Sequence, residues 1–145
     1  MSIEPVSADS LNELVNLVVA LWPECSFEEE RESYQRLLTA TDEVCYLAKE
    51  GTSYFGFIHL TLRTDYVEGA SHSPVAYVEG LYVKPEFQHQ GIGRYLMQAG
   101  EGWAREKHCQ EMASDTELDN AESLAFHQKL GFEEANRIVC LIKTL

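Results

Sequence analysis

The chain has 145 residues, 24 of them acidic and 11 basic, for a formal charge of −13. That length suits one domain with one core, and that charge argues against a nucleic-acid backbone or an anionic membrane surface as partner while favouring a polycation. The four cysteines, Cys25, Cys45, Cys109 and Cys140, show neither close pairing nor metal-ligand spacing, so no metal is expected and the thiols read as reduced.

Taken in chain order, Ser2 to Val6 is an edge-strand candidate, with neither a basic region nor an apolar run around it. No stretch approaches the roughly 18 continuous apolar residues of a membrane helix, and the expectation is a cytoplasmic protein with no membrane partner. Ser7 or Asp9 could cap a helix running to Leu21, whose apolar face is Leu11, Leu14, Leu17, Val18 and Leu21. Pro23 ends it, and Ser26 with Glu29 three residues on forms a capping-box pattern for a second helix, Phe27 to Leu38.

Glu43 to Lys49 and Tyr54 to Arg63 read as strands joined by a hairpin turn at Glu50 to Ser53, and Ala76 to Lys84 as the third strand of this antiparallel run. Pro85 removes a backbone donor and stops the ladder. Arg94 to Lys107 then shows helical spacing of apolar residues, with Gly91 and Gly93 at the helix entrance. A helix N-terminus opened by glycine lets backbone approach an anion, and its free N–H groups suit a pyrophosphate. The bland reading is an ordinary strand-to-helix turn. No Gly-Lys-Ser/Thr follows, and the three-glycine dinucleotide fingerprint is absent, so neither of those phosphate cradles is supported. Glu111 to Ser114 completes the sheet as a buried strand, followed by a helix from Asn120 to Leu130 with Gly131 placed for a left-handed cap, and a final strand at Ile138 to Ile142.

The spacing Gln88-x-x-Gly91-x-Gly93 after Val83-x-Pro85 resembles the acetyl-coenzyme A site of the GCN5-related N-acetyltransferase superfamily. The element order β-αα-βββ-α-β-α-β matches along nearly the whole chain, including Leu130-Gly131-Phe132. The implied fold class is α/β (α+β): a mixed, mostly antiparallel sheet flanked by helices, in a single domain over 1–145. Leu21-Trp22-Pro23, Asp65 to Gly69, Ser73-Pro74-Val75, Val78-Glu79-Gly80, Ala113-Ser114-Asp115 with Asp119-Asn120, and His127 to Phe132 narrow the resemblance. It points to the chromosomal, homodimeric aminoglycoside 6'-N-acetyltransferases. Asn136 departs from that subgroup, which tends to carry Glu there.

The resemblance implies acetyl-coenzyme A as cosubstrate, with no metal. It is expected along Leu81, Tyr82, Val83, Gln88, His89, Gln90, Gly91, Ile92, Gly93 and Arg94, with Asn120 and His127 from the later helix. The reaction needs a neutral amine, so a base must take a proton; Glu79, on the strand beside the cradle, is the candidate, against the alternative of a solvated strand face. Gly80 in mid-strand suggests a bulge with a free N–H for the acetyl oxygen. His127, where many superfamily members place a tyrosine, is a candidate proton donor to the thiolate, or a structural histidine. Trp22, Tyr66, Glu79 and Asp115 are the candidate contacts for a cationic aminoglycoside. No base beside Cys109 is evident, which favours direct transfer over an acetyl-cysteine intermediate. The resemblance also implies a homodimer, expected to form through the apolar C-terminal strand. Two other readings stay open: acetylation of a polyamine, peptide or protein amine, and a non-catalytic acyl-coenzyme A sensor.

Overall fold

A computed structural model describes all 145 residues. Five strands, β1 (Ser2–Pro5), β2 (Glu43–Glu50), β3 (Ser53–Arg63), β4 (Val75–Val83) and β5 (Met112–Ala113), form one sheet in chain order. The first four are antiparallel neighbours, and β5 alone runs parallel, against β4. The helices are α1 (Leu11–Leu21), α2 (Phe27–Tyr34), α3 (Ile92–Glu106) and α4 (Ala121–Lys129).

Period-two alternation divides the core between the two faces of the sheet. Cys45, Leu47 and Phe57 are fully buried against Leu11, Leu14, Val15 and Val18 of α1 on one side. Ile58, Leu60 and Val78 pack on the other against Ile92, Leu96, Met97 and Trp103 of α3, with Phe126, Leu130 and Phe132 at its margin. Ser26 caps α2 by accepting from the Glu29 N–H, as the capping-box spacing predicts. The first helix differs from expectation. Neither Ser7 nor Asp9 caps it; Ser10 stands at the N-cap, its hydroxyl accepting from the Ser7 N–H at 2.9 Å, so the chain turns once more before α1 begins. The second helix tightens into a 3-10 turn at Gln35–Leu38.

Two irregularities of the sheet create the site. Between β3 and β4, His59 pairs with Gly80 and Leu60 with Val78, which leaves Glu79 as the extra, unpaired residue of a β-bulge. The pairing of β4 with β5 covers only Ala76 with Met112 and Tyr77 with Ala113, so the two strands part beyond Tyr77 and leave a notch.

The strand expected at Ile138 to Ile142 is not formed. Residues 133–145 carry no helix or strand, and Ile138, Val139, Leu141 and Ile142 are 67 to 100% exposed. A strand needs a ladder partner, and this single chain offers the segment none.

Candidate functional site

The notch between β4 and β5 opens into a groove of about 660 Å³ lined by Leu81, Val83, Gln88, His89, Gly91, Ile92, Gly93 and Arg94 on one wall and Asn120, Ser123, Phe126 and His127 on the other. Gly91 is the N-cap of α3 at φ +83°, a left-handed conformation open to glycine, and the turn before it also sets His89 at φ +63°. The N–H groups of Gly91, Ile92, Gly93 and Arg94 find no acceptor within the chain. They converge at the positive end of the α3 dipole, where an anion is stabilised. Gly93 has a different reason from the one expected: a Cβ there would stand 3.0 Å from the Phe126 ring, so this glycine lets α4 close down on α3. Gln88 braces the turn, its amide donating to the Val83 carbonyl at 3.0 Å.

Among the expected coenzyme residues, Tyr82 and Gln90 do not line this groove. Tyr82 points to the other face of the sheet, packed with the α1 cluster and 6.4 Å from the Phe57 ring. Asn120 both lines the groove and caps α4, accepting from the Ser123 N–H at 3.0 Å. His127 is fixed on both ring nitrogens: Nδ1 donates to the Ser123 carbonyl at 2.7 Å, which leaves Nε2 to accept from the Ser114 hydroxyl at 2.8 Å.

A second cavity, of about 870 Å³, lies between the loop after β3, the end of β5, α4 and the C-terminal segment. It is acidic: Glu68, Glu111, Asp115, Glu117, Glu133 and Glu134 line it, with Tyr66 and Tyr77 as aromatic walls. Asp115 accepts from the Tyr77 hydroxyl, and burial together with that carboxylate pushes the Tyr77 phenol up to about 12, so it stays a donor at any working pH. Tyr66 is 81% exposed and donates to Glu68 at 2.9 Å, while Asn136 donates its amide to the other Glu68 oxygen at 2.6 Å. These bonds, the Asn136 amide first, hold the Glu68 carboxyl below its ordinary range. Asn136 thus joins the tail to the loop, where a Glu would face Glu68 with like charge.

The two cavities share Ser114, Asp115 and His127. Glu79 sits beside this junction, with its carboxylate held by the Thr61 hydroxyl at 2.7 Å and by Arg63 in a forked pair at 2.8 to 3.1 Å. Trp22 lines neither cavity; its ring stands 3.0 Å from where a Cβ of Gly80 would lie and so backs the bulge from the α1 side. Cys109 is partly buried, and burial raises its thiol above the ordinary value, the reverse of what a nucleophile needs.

Residues 11–132 match the model of the acetyltransferase (GNAT) family. This chain belongs to that family. It is 40% identical over 140 residues to an aminoglycoside N(6')-acetyltransferase type 1 of Acinetobacter genomosp. 13, covering 96% of this chain and 95% of the relative. The Serratia marcescens enzyme of the same description is 36% identical, with 94% of each chain covered. Among solved structures, AAC(6')-Iy in complex with the bisubstrate analogue CoA-S-monomethyl-acetylneamine superposes at TM-score 0.95 and 33% identity, over 99% of this chain and 98% of that one. The aminoglycoside 6'-N-acetyltransferase AAC(6')-Ih of Acinetobacter baumannii superposes at 0.92 with 36% identity, over 99% and 98%. The mixed five-stranded sheet with four flanking helices is thus the fold of the GNAT family.

Arg63, Thr61 and Tyr77 escape a reading by motif, and Ser114 enters only as a member of Ala113-Ser114-Asp115. A weaker signal marks the first three: Thr61 and Arg63 on β3, and Tyr77 and Glu79 on β4, are polar or aromatic at period two where the intervening residues are apolar.

Proposed function

We propose that this protein transfers the acetyl group of acetyl-coenzyme A to the 6'-amine of aminoglycosides, directly and within a ternary complex. One observation carries the reading: an anion-binding groove and an acidic cavity meet at Ser114, Asp115 and His127, beside the bulged Glu79. The groove fits a pyrophosphate at the amides of Gly91 to Arg94 and an extended pantetheine arm along β4 into the notch. The cavity fits a multiply charged aminosugar, through Asp115, Glu68 and the Tyr66 and Tyr77 rings.

The amine nitrogen attacks the thioester carbonyl carbon, forming the C–N bond; the tetrahedral intermediate collapses with cleavage of C–S. Glu79 receives the amine proton through a water. Backbone at the bulge between Glu79 and Leu81 supplies the N–H that stabilises the oxyanion in this reading. The leaving thiolate takes its proton from a water, with the Ser114–His127 pair beside the departing sulfur. The product lacks a positive charge with which the drug grips ribosomal RNA, and the biological outcome is antibiotic resistance. Free thiols and a coenzyme of the cell interior support a cytoplasmic setting.

The protein works as a homodimer through its C-terminal segment. Four large apolar side chains exposed on an unpaired stretch support this, since such a strand edge is otherwise an aggregation hazard. Sedimentation should give a dimer, and deletion of residues 138–145 a monomer.

Coenzyme A release is the deciding assay, with tobramycin, its analogue bearing hydroxyl in place of the 6'-amine, and spermidine as acceptors. Release with tobramycin alone is expected. Release with spermidine alone assigns the protein to polyamine chemistry, and coenzyme binding with no release from any amine makes it a sensor.

A further inference from the structure

The acidic cavity contains a cation of its own. Arg63, at the end of β3, lines the same cavity as Glu68, Glu111, Asp115, Glu117 and Glu133, and its guanidinium is not directed at any of these. It is turned instead to Glu79, in a forked pair through Nε and Nη2, and stands over the Tyr77 ring with Cζ 3.4 Å from the centroid. The other arginine lining the cavity, Arg137, is taken up by Glu134. Carboxylate below and aromatic face behind are the two partners that an ammonium group would seek here. Arg63 occupies both, and the Thr61 hydroxyl takes another position on the same carboxylate.

We propose that Arg63 is a specificity-determining residue: an internal cation that occupies the ammonium position on Glu79 and Tyr77 and yields it only to an acceptor carrying several positive charges. This rests on the reading that the acceptor is a cationic amine. A single ammonium must compete for Glu79 against a tethered, two-pronged guanidinium, whose fork is pre-organised for a carboxylate. A polycationic acceptor holds additional carboxylates, Asp115 and Glu68, while one of its ammonium groups displaces Arg63. Its selectivity therefore comes partly from a repulsive element built against monoamines. The displacement also frees lone pairs of Glu79 only when an amine is present to be deprotonated, because the carboxylate otherwise accepts four hydrogen bonds.

The test compares wild type, Arg63→Gln and Arg63→Lys with tobramycin and with methyl 6-amino-6-deoxyglucoside, which presents the same aminomethyl sugar with one charge. In Arg63→Gln the KM for the monoamine is expected to fall roughly fivefold, the scale of one partly exposed ion pair, and the tobramycin KM by less, so that selectivity narrows. Arg63→Lys, which keeps the charge without the fork, should lie between the two, and it carries the test if the glutamine variant does not fold. An unchanged or raised monoamine KM with a lowered kcat would mean that Arg63 only orients Glu79, and the proposal fails. If the wild type turns over neither amine, the functional reading falls, and calorimetric binding still tests Arg63: tighter monoamine binding by the variants upholds the proposal, equal or weaker binding overturns it.

Discussion

The two cavities that meet at Asp115 are built of different material. The groove proposed for the coenzyme is made largely of backbone: a bulged strand, a notch where two strands part, and four unpaired amides at a helix N-terminus. Its geometry follows from where glycines and a proline stand. The acidic cavity is made of side chains from a loop, a strand end, α4 and an irregular tail, joined by bonds such as Asn136 to Glu68 and Tyr77 to Asp115. A backbone-built site has its donors fixed before the ligand arrives, whereas a side-chain-built site can be retuned one residue at a time. The first suits a coenzyme that never changes, and the second an acceptor that varies.

If that division holds, substitutions in one cavity should leave binding in the other untouched. The largest effect is expected for Glu79→Gln, at the junction: kcat/KM for tobramycin should fall by about two orders of magnitude, with coenzyme A affinity by calorimetry unchanged. A matching loss of coenzyme affinity would show that Glu79, which lines the groove, also contacts the coenzyme. Gly91→Val forces a β-branched residue to φ +83°, at a strain of about 1–3 kcal/mol. Its coenzyme A affinity should drop by about that amount while tobramycin binding stays near wild type; parallel losses would show that the two sites are coupled through α3. Asp115→Asn removes a charge from the shared wall and the carboxylate that the Tyr77 hydroxyl donates to. The tobramycin KM should rise roughly tenfold, the lower end of the scale of one charge-assisted hydrogen bond, and kcat should change little.

The smallest effect is expected at His59 and Glu43, which line neither cavity, although Glu79 lies near enough to act on the His59 charge. His59 is 6% exposed, and burial outweighs the adjacent Glu43 to hold its imidazole below the ordinary value of 6.5. The Arg36 guanidinium holds the Glu43 carboxyl below 4.5. For both, the unfolded chain binds protons that the folded chain resists, so stability falls with pH: first below about 6.5 through His59, then below 4.5 through Glu43. Thermal unfolding between pH 7.5 and 5.5 should show the first decline, and His59→Gln should flatten it without altering coenzyme binding. A pH-independent melting temperature in the wild type would contradict the buried, neutral histidine.

Much of this is legible in the amino-acid sequence. Leu11, Leu14, Leu17 and Val18 at helical spacing are the buried face of α1, and Pro85 with Gly91 marks the end of β4 and the start of α3. Gly80 in mid-strand signals the bulge, although the residue left over is Glu79. Gly131 has the left-handed φ of +94° that its place after α4 requires. Arg63 was not readable, because one arginine at a strand end has no pattern of its own and gains meaning only from Glu79 and Tyr77 on the neighbouring strand. Nor was the unpaired tail, since an apolar β-prone run looks the same whether or not its chain supplies a partner.

The sequence by itself determined the elements, their order and the anion-binding helix entrance, because periodicity, glycine φ preference and proline's missing donor act over a few neighbouring residues. Tertiary structure decided which polar groups face one another: the Glu79–Arg63–Tyr77 cluster, the Ser114–His127 pair and the loop-to-tail contact at Asn136. Those pairings depend on the register between β3 and β4 and on the parting of β4 from β5, and register is a property of the assembled sheet.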